Sequence, residues 1–134
     1  MEKLISIASS KNNLYEVDNF LKSIFNEYGI DKRMHFNIYL TLSEAINNAI
    51  QHGNQFDSTK FVNVYFFQSS SSYEFIIEDE GSGFDITKVP DPTSTENIRK
   101  ESGRGLFLMK TYTDSFEVMN NGRIIKLIFN KHCD

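Results

Sequence analysis

The sequence contains little cysteine and no long apolar run. Its single cysteine, Cys133, allows neither an intrachain disulfide nor a cysteine-based metal site, and it fits a reducing compartment. No apolar stretch approaches the roughly 20 residues of a membrane-spanning helix, and the one near the N-terminus is too short for a signal peptide. We therefore expect a cytoplasmic protein without a membrane partner.

Positive charge is also scarce. The 134 residues include 14 Lys and Arg against 18 Asp and Glu, which gives a net charge of -4. This balance offers no electrostatic reason to expect nucleic acid as a partner. The length, with 40% hydrophobic and 13% aromatic residues, suits one compact domain that spans residues 1–134.

Hydrophobic periodicity predicts the element order β-α-α-β-β-loop-α-β-β. Strands are expected at residues 3–8, 60–68 and 72–79 and in a closing hairpin at 114–130. The first helix is expected between a cap at Asn13 and a stop at Gly29, the second at residues 32–52, and the third directly after Gly105. Most adjacent strands form hairpins. The predicted fold class is therefore α/β, as an α+β sandwich whose mixed, mostly antiparallel sheet packs about three helices on one face.

The second helix carries an unusual polar face in the stretch TLSEAINNAIQH. Glu44, Asn47, Asn48 and Gln51 fall on one side by the spacing rule for helices, opposite an apolar stripe. A solvated surface explains such a face. However, adjacent asparagines are poor helix formers, an Asn amide oxygen suits Mg²⁺ beside phosphates, and Glu44 could act as a general base.

A second unusual stretch, EDEGSGFD, follows an apolar strand. Asp79 continues the alternation of Tyr73, Phe75 and Ile77, so its carboxylate should point into a pocket and needs a donor there. The donor could be the exocyclic amine of adenine or a neighbouring backbone N–H. Glu78 and Glu80 are expected to be solvated. A simple turn also explains the stretch, whereas a calcium loop fails because Pro90 would occupy its twelfth position.

A third stretch, SGRGLFLM, places glycines at a predicted helix start. Free N–H groups and the helix dipole suit phosphate there, although an ordinary loop-to-helix junction looks the same. No phosphate-binding loop with a GK[ST] ending is present, and Ile86 occupies the place of the third glycine in a dinucleotide fingerprint. Between the two glycine-rich stretches, residues 86–102 read as a long loop of the kind that forms lids.

The order of E-x-x-x-N on a helix, D-x-G-x-G after a strand and G-x-G-L at a helix start resembles the Bergerat-fold (GHKL) ATPase superfamily, the histidine-kinase-like ATPases. At this size the chain resembles the anti-sigma-factor serine/threonine protein kinases of partner-switching systems. The resemblance covers nearly the whole chain, as one domain with an ATP lid at about residues 86–102.

The resemblance implies a role for each motif residue. Glu44 would be the catalytic base, and Asn48 would hold Mg²⁺ against the phosphates. Asp79 would accept a hydrogen bond from the adenine amine. The implied ATP-binding residues are Asn47, Asn48, Asp79, Gly81, Gly83, Ser102, Gly103, Arg104, Gly105 and Leu106.

The resemblance also implies an activity and partners. The protein would phosphorylate an anti-anti-sigma (STAS-type) protein with ATP and Mg²⁺, and a sigma factor would be a second partner. The alternative is an ATP-binding regulatory module that sequesters a protein with little kinase activity. A homodimer is a further expectation, which requires exposed apolar residues on the first strand and helix.

One departure concerns the last hairpin. The family often carries Thr after its glycine, supporting the adenine-binding carboxylate, where this chain has Arg123 and Ile124. The adenine contacts on that side are therefore expected to differ. His52 matches a frequent histidine of the first motif and is interpreted as structural.

Overall fold

The computed structural model describes residues 2–10, 14–81, 101–120 and 122–131, with the backbone alone for residues 14 and 101–106. The predicted element order is confirmed. The elements are β1 (Lys3–Ala8), α1 (Leu14–Glu27), α2 (Lys32–Asn48), β2 (Phe61–Gln68), β3 (Ser72–Glu78), α3 (Glu101–Tyr112), β4 (Ser115–Met119) and β5 (Ile124–Asn130).

The five described strands form one sheet in the order β1-β2-β3-β5-β4. Each neighbouring pair is antiparallel. The expectation of a mostly antiparallel sheet is therefore confirmed, and among the described pairs the sheet is antiparallel throughout. The serine run closes the β2–β3 hairpin as predicted, with the Ser69 N–H donating to the Ser72 carbonyl at 2.9 Å.

The core lies between one face of the sheet and the three helices. Alternate strand residues point inward because successive side chains of a strand face opposite sides. Val64, Ile77 and Ile125 are register partners across three adjacent strands, and all three are buried. The helices contribute the rest of this core, including Leu21 from α1 and Met109 from α3. The predicted apolar stripe of α2 is buried in full: Ile38, Leu42, Ala45, Ile46 and Ala49.

The connection between α1 and α2 follows its sequence signals. Gly29 has a φ of 59° and the Ile30 N–H donates to the Phe25 carbonyl at 3.1 Å, which is a glycine-terminated helix end. Asp31 then caps α2 by accepting from the Arg33 N–H at 2.9 Å. The predicted cap Asn13 lies outside the described residues.

The end of α2 differs from the expected regular helix to residue 52. Regular α-helix ends at Asn48, and a π-helical turn, Ala49–Gly53, follows. Its signature is the Asn54 N–H, which donates to the Ala49 carbonyl five residues back at 2.8 Å. Single π turns of this kind occur frequently at functional sites.

Within the described helices at 14–53 and 101–112, none combines the length and apolar character that crossing a bilayer requires.

Candidate functional site

The candidate site is built around Asp79, directly after β3. Its backbone N–H donates to the Arg123 carbonyl at 2.9 Å, which extends the β3–β5 pairing by one residue. Its side chain therefore keeps the inward phase of the strand and is only 5% exposed. The predicted phase of Asp79 is confirmed: the carboxylate lies on the face that buries Phe75 and Ile77.

Within the described residues, one oxygen of the Asp79 carboxylate accepts a hydrogen bond. Oδ1 accepts from the Gly81 N–H at 2.8 Å. A neighbouring backbone N–H was one of the two donors that the sequence suggested for Asp79. Burial raises the pKa of the Asp79 carboxyl, while the Gly81 N–H and the Arg123 charge act in the opposite direction. Because burial makes the ionised carboxylate costly, an N–H donor from a ligand would stabilise it.

Gly53, the last residue of the π turn, lies against the Asp79 carboxylate. A Cβ atom at Gly53 would stand 2.3 Å from Asp79 Oδ2 and 2.4 Å from its Cγ. A Cβ atom at Gly81 would stand 1.7 Å from the Gly53 carbonyl oxygen. The end of the π turn and the segment after β3 thus meet backbone to backbone, a separation that only glycine allows at both positions. We call this pair, Gly53 with Gly81, the glycine contact.

The glycine contact connects Asp79 to the helix that carries the polar face. Asn48 is the last residue of α2, five residues before Gly53, and it is 6% exposed. Glu44 and Asn47 are partly buried on the same helix, with Glu44 one turn before Asn48. The structure therefore joins the first two sequence motifs through the π turn. His52, interpreted as structural, is exposed in that turn rather than buried.

The third motif lies at the beginning of α3. This helix starts at Glu101, so Ser102, Gly103, Arg104, Gly105 and Leu106 occupy its first turns rather than preceding it. Glu101 and Ser102, which were expected to end the lid, also belong to the helix. Gly83 and residues 86–100 lie outside the described residues.

The packing of α3 on α2 sets the position of this third motif. The rings of Phe36 and Tyr112 meet edge to face, with 6.5 Å between centroids, so the end of α3 lies beside the first half of α2. The two helices make the most extensive helix–helix contact in the described structure. Because only one turn of α2 precedes Phe36, a contact this extensive requires α3 to run back along α2 in the direction of Asn48.

The donor set near Asn48 fits Mg²⁺ that is also bound by phosphate. Asn48 offers one neutral amide oxygen, and Mg²⁺ typically takes one or two protein ligands with phosphate oxygens and water. Among the described residues, no group of three or more His, Cys, Asp or Glu side chains is placed to hold a metal ion by itself.

Sequence reasoning missed the residues that secure the end of the π turn. Asn54 is buried, and its side-chain Oδ1 accepts from the Glu80 N–H at 2.8 Å. Glu80 is exposed, as expected, and its Oε2 also accepts from the Phe61 N–H at 2.8 Å. The only signal in the sequence was Asn54 itself, a turn-forming residue directly after Gly53. Gln55 and Phe56 then turn the chain with φ values of 53° and 58°.

The family assignment follows from comparison with known proteins. The pattern of the histidine kinase-like ATPase domain family matches residues 7–129. The chain belongs to this family. Its resemblance to the anti-sigma-factor kinases is confirmed, and ATP use is a property of the family.

Curated relatives support the same branch. "Serine-protein kinase RsbW" of Bacillus subtilis is 32% identical over 91 residues, which are 63% of this chain and 57% of the relative. "Anti-sigma F factor" of Clostridium perfringens strain SM101 is 32% identical over 97 residues, 70% of this chain and 69% of the relative. The match thus spans a little over half of the Bacillus subtilis protein.

A solved structure shares the fold. It contains the RsbU and RsbW domains of a Mycobacterium tuberculosis protein and superposes with a TM-score of 0.60. The alignment covers 96% of this chain and 32% of the other chain, at 14% identity.

Proposed function

We propose that this protein is an ATP-dependent serine/threonine protein kinase that acts as an anti-sigma factor and phosphorylates an anti-anti-sigma protein. The observation that carries the proposal is the buried Asp79 carboxylate, held against Gly53 at the end of the helix that bears Glu44 and Asn48. The names of the relatives, a serine-protein kinase and an anti-sigma factor, support the same activity.

In the proposed mechanism, each end of the nucleotide has its own protein contacts. Asp79 accepts a hydrogen bond from the adenine amine, and Gly81 and Gly83 let the backbone pass beside the nucleotide. Asn47 would line the nucleotide, and Asn48 would hold Mg²⁺ against the phosphates. Residues 102–106 would bind ATP, with the backbone groups of Gly103, Arg104 and Gly105 on the phosphates. Mg²⁺ would neutralise phosphate charge during transfer. Residues 86–100, which precede α3, would form the lid.

Glu44 acts in this proposal as the general base for the acceptor hydroxyl. Its position one turn before Asn48 places a carboxylate next to the proposed metal ligand, and it is only partly buried. A base in this position removes the proton of the partner's serine or threonine as the oxygen attacks the terminal phosphorus atom. The leaving group is then ADP.

The proposed partners are a STAS-type anti-anti-sigma protein as substrate and a sigma factor as the sequestered target. A homodimer is proposed as well, because Leu4 on β1 and Tyr15 on α1 provide the exposed apolar side chains that the resemblance requires. Sedimentation velocity tests this state, and a monomer at all concentrations would contradict it.

The Glu44→Ala variant tests the kinase activity. We expect it to bind MgATP with unchanged affinity and to lose phosphotransfer by about 100-fold or more, as removal of a general base does. The measurement is calorimetric titration with MgATP, followed by transfer from γ-labelled ATP to a STAS-type partner encoded by a neighbouring gene.

The matched control is Glu27→Ala, which removes another partly exposed glutamate at the end of α1, far along the chain from the site. It should keep both binding and transfer. If wild-type protein binds MgATP but transfers no phosphate to its partner, the regulatory binding module becomes the better description. If Glu44→Ala still phosphorylates the partner, the assignment of the base is wrong.

A further inference from the structure

Asn54 lies where four segments of the chain meet. It follows the π turn directly, and its side chain is 1% exposed. Its Nδ2 donates to Ser9 Oγ at 2.8 Å and to the Phe61 carbonyl at 3.0 Å, and its Oδ1 accepts from the Glu80 N–H at 2.8 Å. One side chain thus connects the ends of β1, α2 and β3 with the beginning of β2.

Two of these hydrogen bonds close a ring together with a third bond, between Phe61 and Glu80. Asn54 Nδ2 donates to the Phe61 carbonyl, the Phe61 N–H donates to Glu80 Oε2, and the Glu80 N–H donates back to Asn54 Oδ1. The ring is more stable than three isolated hydrogen bonds, because each residue keeps a second bond when one of the three breaks. We call these three residues the Asn54 ring.

The Asn54 ring acts on the peptide that follows Asp79. Glu80 is the residue between Asp79 and Gly81, so the ring holds the N–H of the peptide that leaves Asp79. The Arg123 carbonyl holds the N–H on the other side of Asp79 at 2.9 Å. The backbone of Asp79 is thereby fixed from both sides.

The ring also fixes the surface on which the carboxylate rests. Gly53 precedes Asn54 and lies against Asp79 Oδ2, while the Asn54 N–H is bonded to the Ala49 carbonyl of the π turn. A shift of Asn54 would therefore move Gly53 relative to Asp79.

We propose that Asn54 is a positioning residue for nucleotide recognition, which orients Asp79 toward the adenine amine through the Asn54 ring and the glycine contact. The proposal rests on the proposed function, since it assumes that Asp79 contacts adenine. A purely structural Asn54 would support folding but would leave selection for the amine unchanged. The two roles predict different ratios between the affinity for ATP and the affinity for a nucleotide that lacks the adenine amine.

The test uses MgATP and the magnesium complex of purine riboside triphosphate, which lacks the adenine amine. Calorimetry gives a dissociation constant for each nucleotide. For each variant, the affinity for ATP is then divided by the affinity for the amine-free nucleotide. We expect Asn54→Ala to lower this ratio by about 10-fold, because a misdirected carboxylate loses most of one charge-assisted hydrogen bond. Affinity for the amine-free nucleotide should change by less than about 3-fold.

Ser9→Ala is the matched control. Ser9 is also fully buried and bonded to Asn54, but it lies outside the Asn54 ring. This variant should lose stability without a change in the ratio. If Asn54→Ala does not fold, Glu80→Ala opens the same ring from an exposed side chain and should lower the ratio in the same direction, by about 3-fold.

The outcomes separate this inference from the proposed function. Wild-type protein that fails to bind MgATP, or that binds both nucleotides equally, overturns the role of Asp79 and this inference with it. Wild-type protein that prefers ATP, with an unchanged ratio in folded Asn54→Ala, overturns the positioning role alone. In the absence of a folded Asn54→Ala protein, an unchanged ratio in Glu80→Ala does the same.

Discussion

The core-facing side chains at the two ends of β3 lie on the same face of the sheet, but one end is aromatic and the other carries a carboxylate. Near its beginning, Tyr73 and Phe75 pack on Phe66 with centroid distances of 6.2 and 5.1 Å. Beyond its end, on the same face, Asp79 buries a carboxylate against Gly53. The aromatic end stabilises the fold, whereas the carboxylate end costs stability. A fold that retains such a cost on its core face usually does so for function.

Replacement at the aromatic end should have the largest effect on stability. We expect Phe75→Ala to lower the free energy of unfolding by about 3–5 kcal/mol, because it leaves a cavity in a close-packed core. Urea denaturation measures this loss. In the folded fraction the preference for ATP should persist, since Asp79 lies four residues further along the chain. A lost preference in folded protein would show that the two ends are not independent.

Replacement at the glycine contact should have an intermediate effect on stability and a large one on binding. We expect Gly81→Ala to cost about 1–3 kcal/mol of unfolding free energy, because the new methyl group must displace the Gly53 backbone. MgATP affinity should fall as well, since the displaced backbone supports Asp79. Both quantities follow from urea denaturation and calorimetry.

Gly29→Ala is the control for this replacement. Gly29 has a φ of 59°, but no atom lies within 4 Å of the position that a new methyl group would take, so its cost is conformational strain of about 1 kcal/mol. Its MgATP affinity should not change. Equal loss of MgATP affinity in both variants would remove the special role of the glycine contact.

Replacement of the carboxylate itself should have the smallest effect on stability, with the opposite sign. Burial raises the pKa of Asp79 in the folded state, so ionisation favours unfolding as pH rises through that pKa. Asp79→Asn should therefore raise the melting temperature of nucleotide-free protein at pH 7. This difference should disappear as pH falls below the unfolded-state value of about 3.9, because the wild-type carboxyl is then protonated in both states. A variant that is less stable at pH 7 would contradict this view of the carboxylate end.

Much of the fold could be predicted because its signals are local. Alternation along β1, β2 and β3 and the helical stripe of α2 each depend on neighbouring residues, and Gly29 ends α1 as a single glycine can. The π turn could not be predicted, because Ala49–Gly53 continues an ordinary helical pattern, and Gly53 meets Asp79 and Gly81 only in the folded chain. The Asn54 ring was missed for the same reason. Its members lie far apart in sequence, and nothing local indicates that Glu80 bonds to Phe61.

The candidate site was predictable to a similar extent. The phase of β3 determines that Asp79 points inward, and Glu44 and Asn48 share a helix face by spacing alone. The approach of Gly53 to Asp79 required the packed structure, because it depends on where two elements end in space. The roles of Gly83 and residues 102–106 toward ATP remain predictions from the motif.

The central claim is that Asp79 recognises adenine, and one titration tests it most directly. Dissociation constants of wild-type protein and Asp79→Asn are measured for MgATP and for the amine-free purine riboside triphosphate. The account predicts that Asp79→Asn weakens MgATP binding by about 10- to 100-fold, the value of one hydrogen bond to a charged group, and amine-free binding by less than about 3-fold. Equal losses for the two nucleotides would contradict it.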